Sequence, residues 1–465
     1  MSRVKTISDE SKKESQMEKS SAENKMGTMP VGKLLFSMSA PLVASMLFIA
    51  FYNVVDSIFV AKLNQDALNA VSLAFPLQSL IMAFCVGTGV GMSALLSRSL
   101  GEKNYETAER AANTGVFLYF CTALAFMVFG LLAARPYYRF LTDNENIVSY
   151  GTAYIQVCLG CAICLCTEVS GERLLQSTGR TDLAMIAQIS GAVFNIIFDP
   201  ILIFGLLGFP RLEVKGAAIA TVSGQLLAGI VAHILNITKN KEIHMVPKKI
   251  RFHGPTAKEI YRVGFPSILM QAVGSFMNFI LNNILIGFTE AATAAFGVYY
   301  KVQSFVFMPV FGMNTAIVPM ISYNFGAGKF ERVKKIVRLG ILSAVAIMTA
   351  GFLMFELMPA TLIGMFSPTE EMLSVGIKAF RIIGTHFPFA GFCILAGSAC
   401  QALGKPIYSL VTSLCRQLIV LLPAAYLLSL TGVLDYVWLA FPMAEIISLT
   451  LSAIFLAKIM KSLKN

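Results

Sequence analysis

Charge is scarce in this chain. Only 14% of its 465 residues are Asp, Glu, Lys or Arg, against about one quarter in a soluble domain, while 56% are hydrophobic. A water-soluble fold of this length cannot hide so much apolar surface, and that class is excluded. Segments of about ten residues with alternating polarity are missing too, which removes an outer-membrane barrel. There is no Walker A loop, no HExxH pair and no repeated filter sequence, so direct ATP drive, zinc-hydrolase chemistry and channel selectivity have no carrier. Residues 1–30 lack an apolar run and are rich in Ser, Lys and Glu; they are expected to be a disordered polar cytoplasmic tail or an expression remnant, without a cleavable signal peptide. The nine cysteines lack paired CxxC knuckles. Cys158, Cys161, Cys164 and Cys166 fan around one helix instead, as small packing residues.

What the chain has is a succession of apolar stretches of 20 or more residues, such as 34–60, 111–134, 339–358 and 433–456. Each is long enough to cross a bilayer core as a helix, which takes about 20 residues at ~1.5 Å rise apiece. The pattern predicts an all-α polytopic membrane protein of twelve transmembrane helices, at about 34–60, 68–97, 108–134, 147–170, 182–207, 216–237, 260–288, 293–324, 339–358, 374–402, 406–430 and 434–458.

The net charge of +11 then reads as topology. Of the 37 Lys and Arg, 28 fall on the side that holds both termini, including Lys248-Lys249 and Arg332-Val333-Lys334-Lys335; seven fall on the other side, and Lys301 and Arg416 lie within spans. That bias places both termini in the cytoplasm. No aromatic and basic platform accompanies it, so no nucleic-acid partner is expected.

The chain repeats itself. Pro41 and Pro266, Gln78 and Gln303, Gly87 and Gly312, Gly101 and Gly326, Gln176 and Gln401, and Gly179 and Gly404 all stand 225 residues apart. Two six-helix units, 31–237 and 259–465, are thus expected, joined by a cytoplasmic linker at 238–258. An even number of spans per unit keeps both copies in the same orientation, which is the parallel-repeat plan of two bundles about a central cavity.

Ionisable side chains within spans are expensive and mark function by default. Asp56 stands in the run Tyr52-Asn53-Val54-Val55-Asp56-Ser57-Ile58-Phe59-Val60 of the first helix. The fifth carries Asn195 and Asp199 four residues apart, hence on one face. Chain direction puts Asp56, Asp199 and Thr221 in the outer half of the membrane and Asn195 about a turn deeper. At the repeat offset the same positions are Leu281, Val420, Ala424 and Ile446, so the acidic cluster belongs to the first half alone. Pro41 and Pro200 each remove a helical hydrogen bond and give their helices a place to bend. Glu168 and Glu172, beside Arg173, suit either a local ion pair or a substrate contact. Lys301, Arg416 and Glu445 are expected to pair across helices, His386 is a relay candidate or a hydrogen-bonded core residue, and Gln78 is an accessory polar candidate.

These residues carry a resemblance. The motifs are Pro41 followed by Tyr-Asn-Val-Val-Asp56-Ser-Ile-Phe-Val, Gly101-Glu102-Lys103-Asn104, Gln176-Ser177-Thr178-Gly179-Arg180, Asn195 with Asp199-Pro200, and Gly216-Ala217-Ala218-Ile219-Ala220-Thr221. Over nearly all of residues 30–465 the chain resembles the bacterial multidrug and toxic-compound extrusion (MATE) transporters, in their DinF-like branch. The resemblance implies two six-helix lobes in the bacterial cell membrane and a single chain as the working unit. It implies export of amphipathic organic cations in exchange for inward H⁺ or Na⁺, with no other cofactor, and coupling at Asp56, Asn195, Asp199 and Thr221, where Na⁺ would also bind. The alternative within the same superfamily is a flippase for a lipid-linked saccharide, which calls for a cationic cavity; only Lys301 and Arg416 lie within spans to supply one.

Overall fold

The structure is a computed structural model and describes residues 23–243, 250–366 and 368–463. Expectations placed on residues 1–22 and on Lys248-Lys249 lie outside the described residues.

Twelve helical spans follow one another: α1 Val31–Ala61, α2 Gln65–Gly101, α3 Tyr105–Leu141, α4 in two pieces Glu145–Gly160 and Ala162–Ser177, α5 Thr181–Phe204, α6 Glu213–Lys239, α7 Gly254–Ile286, α8 Glu290–Gly326, α9 Phe330–Leu357, α10 in two pieces Glu370–Gly384 and Phe387–Ala402, α11 Pro406–Ser429 and α12 Leu434–Ser462. Ten are long and apolar enough to cross a membrane unaided, while α4 and α10 qualify as pairs bent by 44° and 47°. No strand occurs among the described residues. The protein is a multi-pass, all-α membrane protein.

The 225-residue register reappears in the local chemistry that starts, breaks and ends these helices. Asn64 caps α2 by accepting from Ala67 N, and its repeat mate Thr289 caps α8 by accepting from Ala292 N. Asn144 and Thr369 do the same for α4 and α10. Each cap satisfies an amide that the first helical turn leaves open. Gly179 and Gly404 both take positive φ, 85° and 71°, which lets the chain reverse tightly before α5 and α11. The break in α4 falls at Cys161 and that in α10 at Thr385-His386, where His386 is the repeat mate of Cys161. Pro41 and Pro200 lie inside α1 and α5, which continue as helix through both.

The two halves meet along α1, α2, α7 and α8, and glycines set how closely. An added Cβ on Gly87 would fall against the Gly264 carbonyl and Ile268; one on the equivalent Gly312 would fall against the Val43 backbone. Gly101 lies against the carbonyl of Tyr323, and Gly326 against that of Arg98, with no room for a side chain at either. Arg98 and Tyr323 are themselves 225 residues apart. The Gly101 and Gly326 contacts lie at the end of the bundle that carries the termini, and those of Gly87 and Gly312 lie 14 residues further along α2 and α8, toward the middle of the spans.

A disordered tail does not describe residues 23–30. Lys25–Thr28 form a helical turn capped by Asn24, and Met26 is fully buried. Asn24 Nδ2 donates to Thr178 O in the first half at 3.0 Å. From the second half, Asn324 Nδ2 and Arg332 Nη2 donate to Met26 O at 2.9 and 3.1 Å, Arg332 also reaches Met29 O at 2.8 Å, and Lys329 holds Gly27 O and Glu23. Carbonyls satisfied by a neighbouring lobe order this segment although its sequence is polar.

Candidate functional site

On α5, Gln188, Asn195 and Asp199 are spaced by seven and four residues, so one face of the helix carries a polar stripe. α6 can come close to this face because both helices lack side chains where they touch. A Cβ on Gly191 would sit 2.6 Å from Gly224 O, and one on Gly224 would sit 2.8 Å from Gly191 O. That approach brings Thr221 to Asn195, whose Nδ2 donates to Thr221 Oγ1 and to Asp199 Oδ1, both at 3.3 Å. From α1, the Asp56 carboxyl adjoins that of Asp199. The structure therefore brings together all four residues singled out by sequence.

Asp199 has no exposed surface and Asn195 only 3%. Asp56 Oδ1, Asp199 Oδ2 and Asn195 Oδ1 are buried without a hydrogen-bond partner. Two adjoining carboxyls inside a span carry two negative charges only with a cation beside them; otherwise they share a proton. Two carboxyls, a carboxamide oxygen and a hydroxyl form an all-oxygen set, suited to a hard cation or a proton and to no soft metal. Among the described residues no three His, Cys, Asp or Glu side chains cluster as a metal site.

Next to this cluster lies a cavity of about 40 Å³, lined by Tyr52 of α1, Glu168 of α4, Gln188 and Asn195 of α5, and Thr221 and Gln225 of α6. At roughly 10–15 Å³ per water centre it has room for about three or four water molecules. Sequence reasoning missed Tyr52, Gln188 and Gln225, although Tyr52 stands one turn before Asp56 and Gln188 two turns before Asn195.

The remaining candidates fall in several places. Of the two readings left open for Glu172, the ion pair is not formed: Gln188 Nε2 donates to Glu172 Oε2 at 2.7 Å, and among the described residues no ion pair joins Arg173 to either glutamate. Gln78 Nε2 donates to Tyr154 OH at 3.2 Å, beside Asp56. His386 lies apart, in the second half: it is 6% exposed, its Nδ1 bonds the Ile383 carbonyl at 2.5 Å, and its ring lies among Phe307, Phe387 and Phe441. Arg416 pairs with Glu445 at 3.4 Å. Lys301 does not join them, and lies 5.8 Å over the Phe366 ring instead. At the mates of the acidic cluster the second half is apolar, with Leu281 fully buried.

The chain is 27% identical to the FAD transporter of Shewanella oneidensis over 90% of its length and 92% of that protein's. To the multidrug export protein MepA of Staphylococcus haemolyticus it is 24% identical, over 93% of its length and 94% of that protein's. Among solved structures it matches a MOP superfamily transporter from Pyrococcus furiosus with a TM-score of 0.90 at 24% identity, covering 96% of this chain and 99% of the other. The MatE family profile matches twice, at residues 41–201 and 266–427, and the two matches begin 225 residues apart, as the internal register does. Since those matches cover well over half of the sequence, the chain belongs to the MatE family of membrane transporters.

Proposed function

We propose that this transporter exports amphipathic organic cations from a bacterial cell in exchange for inward H⁺ or Na⁺, its two six-helix lobes opening alternately to either side, with both termini in the cytoplasm. The observation that carries the reading is the Asp56 and Asp199 pair with its unpartnered oxygens. Ionised, the pair attracts a cationic solute to the first lobe. Protonated or holding Na⁺, it is neutral or nearly so, and the attraction is lost on the side where the solute must leave. The glycine contacts close the cytoplasmic end in this arrangement, which leaves the opposite end for release. MepA of Staphylococcus haemolyticus is described as a multidrug export protein, in keeping with this reading.

The test is gradient-driven ethidium transport in proteoliposomes under an imposed pH or Na⁺ gradient. Asp56→Asn and Asp199→Asn are each expected to lower flux by about a hundredfold or more; wild-type flux in both variants would sink the proposal. A second reading, export of an anionic dinucleotide, draws on the FAD transporter of Shewanella oneidensis. A pyrophosphate group needs free cations in the cavity, whereas Arg416 is held by Glu445 and Lys301 lies over Phe366. Flavin fluorescence in the same vesicles separates the two, and flavin transport without ethidium transport would favour the dinucleotide.

A further inference from the structure

We infer that Glu168 and Glu172 form a second station for the coupling cation, from which a buried polar column leads to the end of the bundle that carries the termini. The inference rests on the reading of Asp56 and Asp199 as the first station.

Its basis is a run of stripes on three packed helices. On α4, Glu168, Glu172 and Gln176 follow at intervals of four; on α5, Thr181, Gln188 and Asn195 follow at intervals of seven. Both spacings keep a helix face. From Asp199 back to Thr181 is 18 residues, about 27 Å at ~1.5 Å per residue, most of the thickness of a bilayer core. The cavity lies between the two stations: it is lined by Asn195, which bonds Asp199, by Gln188, which bonds Glu172, and by Glu168 itself.

The column is also where the protein leaves acceptors unsatisfied. Nine buried carboxyl or carboxamide oxygens lack a partner among the described residues, and six belong here: those of Asp56, Asp199, Asn195, Gln188, Glu172 and Gln176. Gln188 is 7% exposed, Glu172 6% and Gln176 2%. Residues that only packed helices together would not need acceptors so aligned, because each unpaired buried oxygen costs stability. Mobile cations, or water carrying protons, satisfy such oxygens in turn. At the far end Asn240 Nδ2 donates to Thr178 Oγ1 at 2.9 Å, just below Asn24.

The charged or titratable groups around the glutamates are Tyr52 of α1, Cys85 of α2, Tyr119 of α3 and Cys164 and Arg173 of α4, with Asp56 and Asp199 beyond Tyr52 and His233 of α6 beside Gly171. A proton released by the Asp56 and Asp199 pair crosses the cavity water to a glutamate carboxylate. The glutamate passes it to water at the termini-bearing end and is a carboxylate again. Sodium would use the same oxygens without any proton transfer.

The experiment uses full-length protein in proteoliposomes with ethidium as the probe, in one arm under a pH gradient and in the other under a Na⁺ gradient; the arm that drives the wild type names the cation. Glu168→Gln with Glu172→Gln is expected to lower gradient-driven flux by about tenfold or more, while ethidium exchange without a gradient stays within about twofold of wild type. Glu172→Asp in the Glu168 wild-type background should keep gradient-driven flux. The inference is overturned by near-wild-type driven flux in the double variant, or by exchange falling as far as driven flux, which marks a structural role. If the double variant does not elute as a single species, Glu172→Gln alone carries the same test. An inactive Asp199→Asn beside a fully active double variant rejects the second station only. Wild-type flux in both Asp56→Asn and Asp199→Asn, or no driven flux in the wild type, rejects the proposed function and this inference with it.

Discussion

Glu445 keeps only 3% of its side chain exposed and takes its ion pair from Arg416, which lies in the π-helical turn Cys415–Leu421 of α11. Removing the guanidinium would strand a carboxylate inside the second half. Arg416→Met is therefore expected to destabilise the protein by about 2 kcal/mol, and Arg416→Met with Glu445→Met to recover most of that loss. Thermal unfolding in detergent measures both, and equal losses in the single and double variants would refute the argument. The same physics explains which single residues stand out in a sequence. Asp56 and Asp199 were legible because a carboxylate in an apolar run has few innocent reasons to be there. Gln188 and Tyr52 were not, since amides and phenols are tolerated in spans and what gives Gln188 its role, Glu172, sits on another helix. The expected pairing of Lys301 with the Arg416 and Glu445 group failed for a related reason: a long cationic side chain selects its partner in three dimensions, and here it lies over the Phe366 ring.

Whole elements were easier to anticipate than their ends. Twelve spans follow from apolar length alone, and Asn or Thr caps begin several of them. Segment 23–30 escaped because a search for 20 apolar residues cannot see one helical turn, and because its order comes from side chains about 300 positions away. Its dependence on the second half is testable. Arg332→Ala removes the donor to the Met29 carbonyl and one of the two donors to the Met26 carbonyl, and amide exchange at Gly27 and Met29 is expected to quicken by about tenfold while the α5 interior stays protected. Unchanged exchange at those two amides would show that Asn324 and Lys329 suffice. The breaks in α4 and α10 teach a complementary lesson. Prolines drew attention to α1 and α5, yet the sharp bends lie at Cys161, where no proline stands, and at Thr385-His386, where Pro388 opens the second piece and lacks the amide that would bond the Gly384 carbonyl.

At the scale of the molecule, the reciprocity of Gly101 with Tyr323 and Gly326 with Arg98 makes the seam between halves the same patch used twice. Such a contact is isologous, the kind by which two identical chains close a twofold dimer. The protein behaves in this respect as a dimer of six-helix subunits written into one polypeptide. Co-expressed fragments cut between Ile243 and Ile250 are accordingly expected to purify together, and to separate when Gly101→Leu and Gly326→Leu are introduced on the two sides. A pair that falls apart unmutated would show that the covalent connection holds the seam. Self-complementarity also limits where the copies can diverge: each seam glycine answers to a backbone contributed by the other copy, whereas the interior of either lobe answers only to itself. The first lobe was thereby free to acquire its acids, and the second to close over with Leu281 in the corresponding place, without disturbing the surface on which both depend.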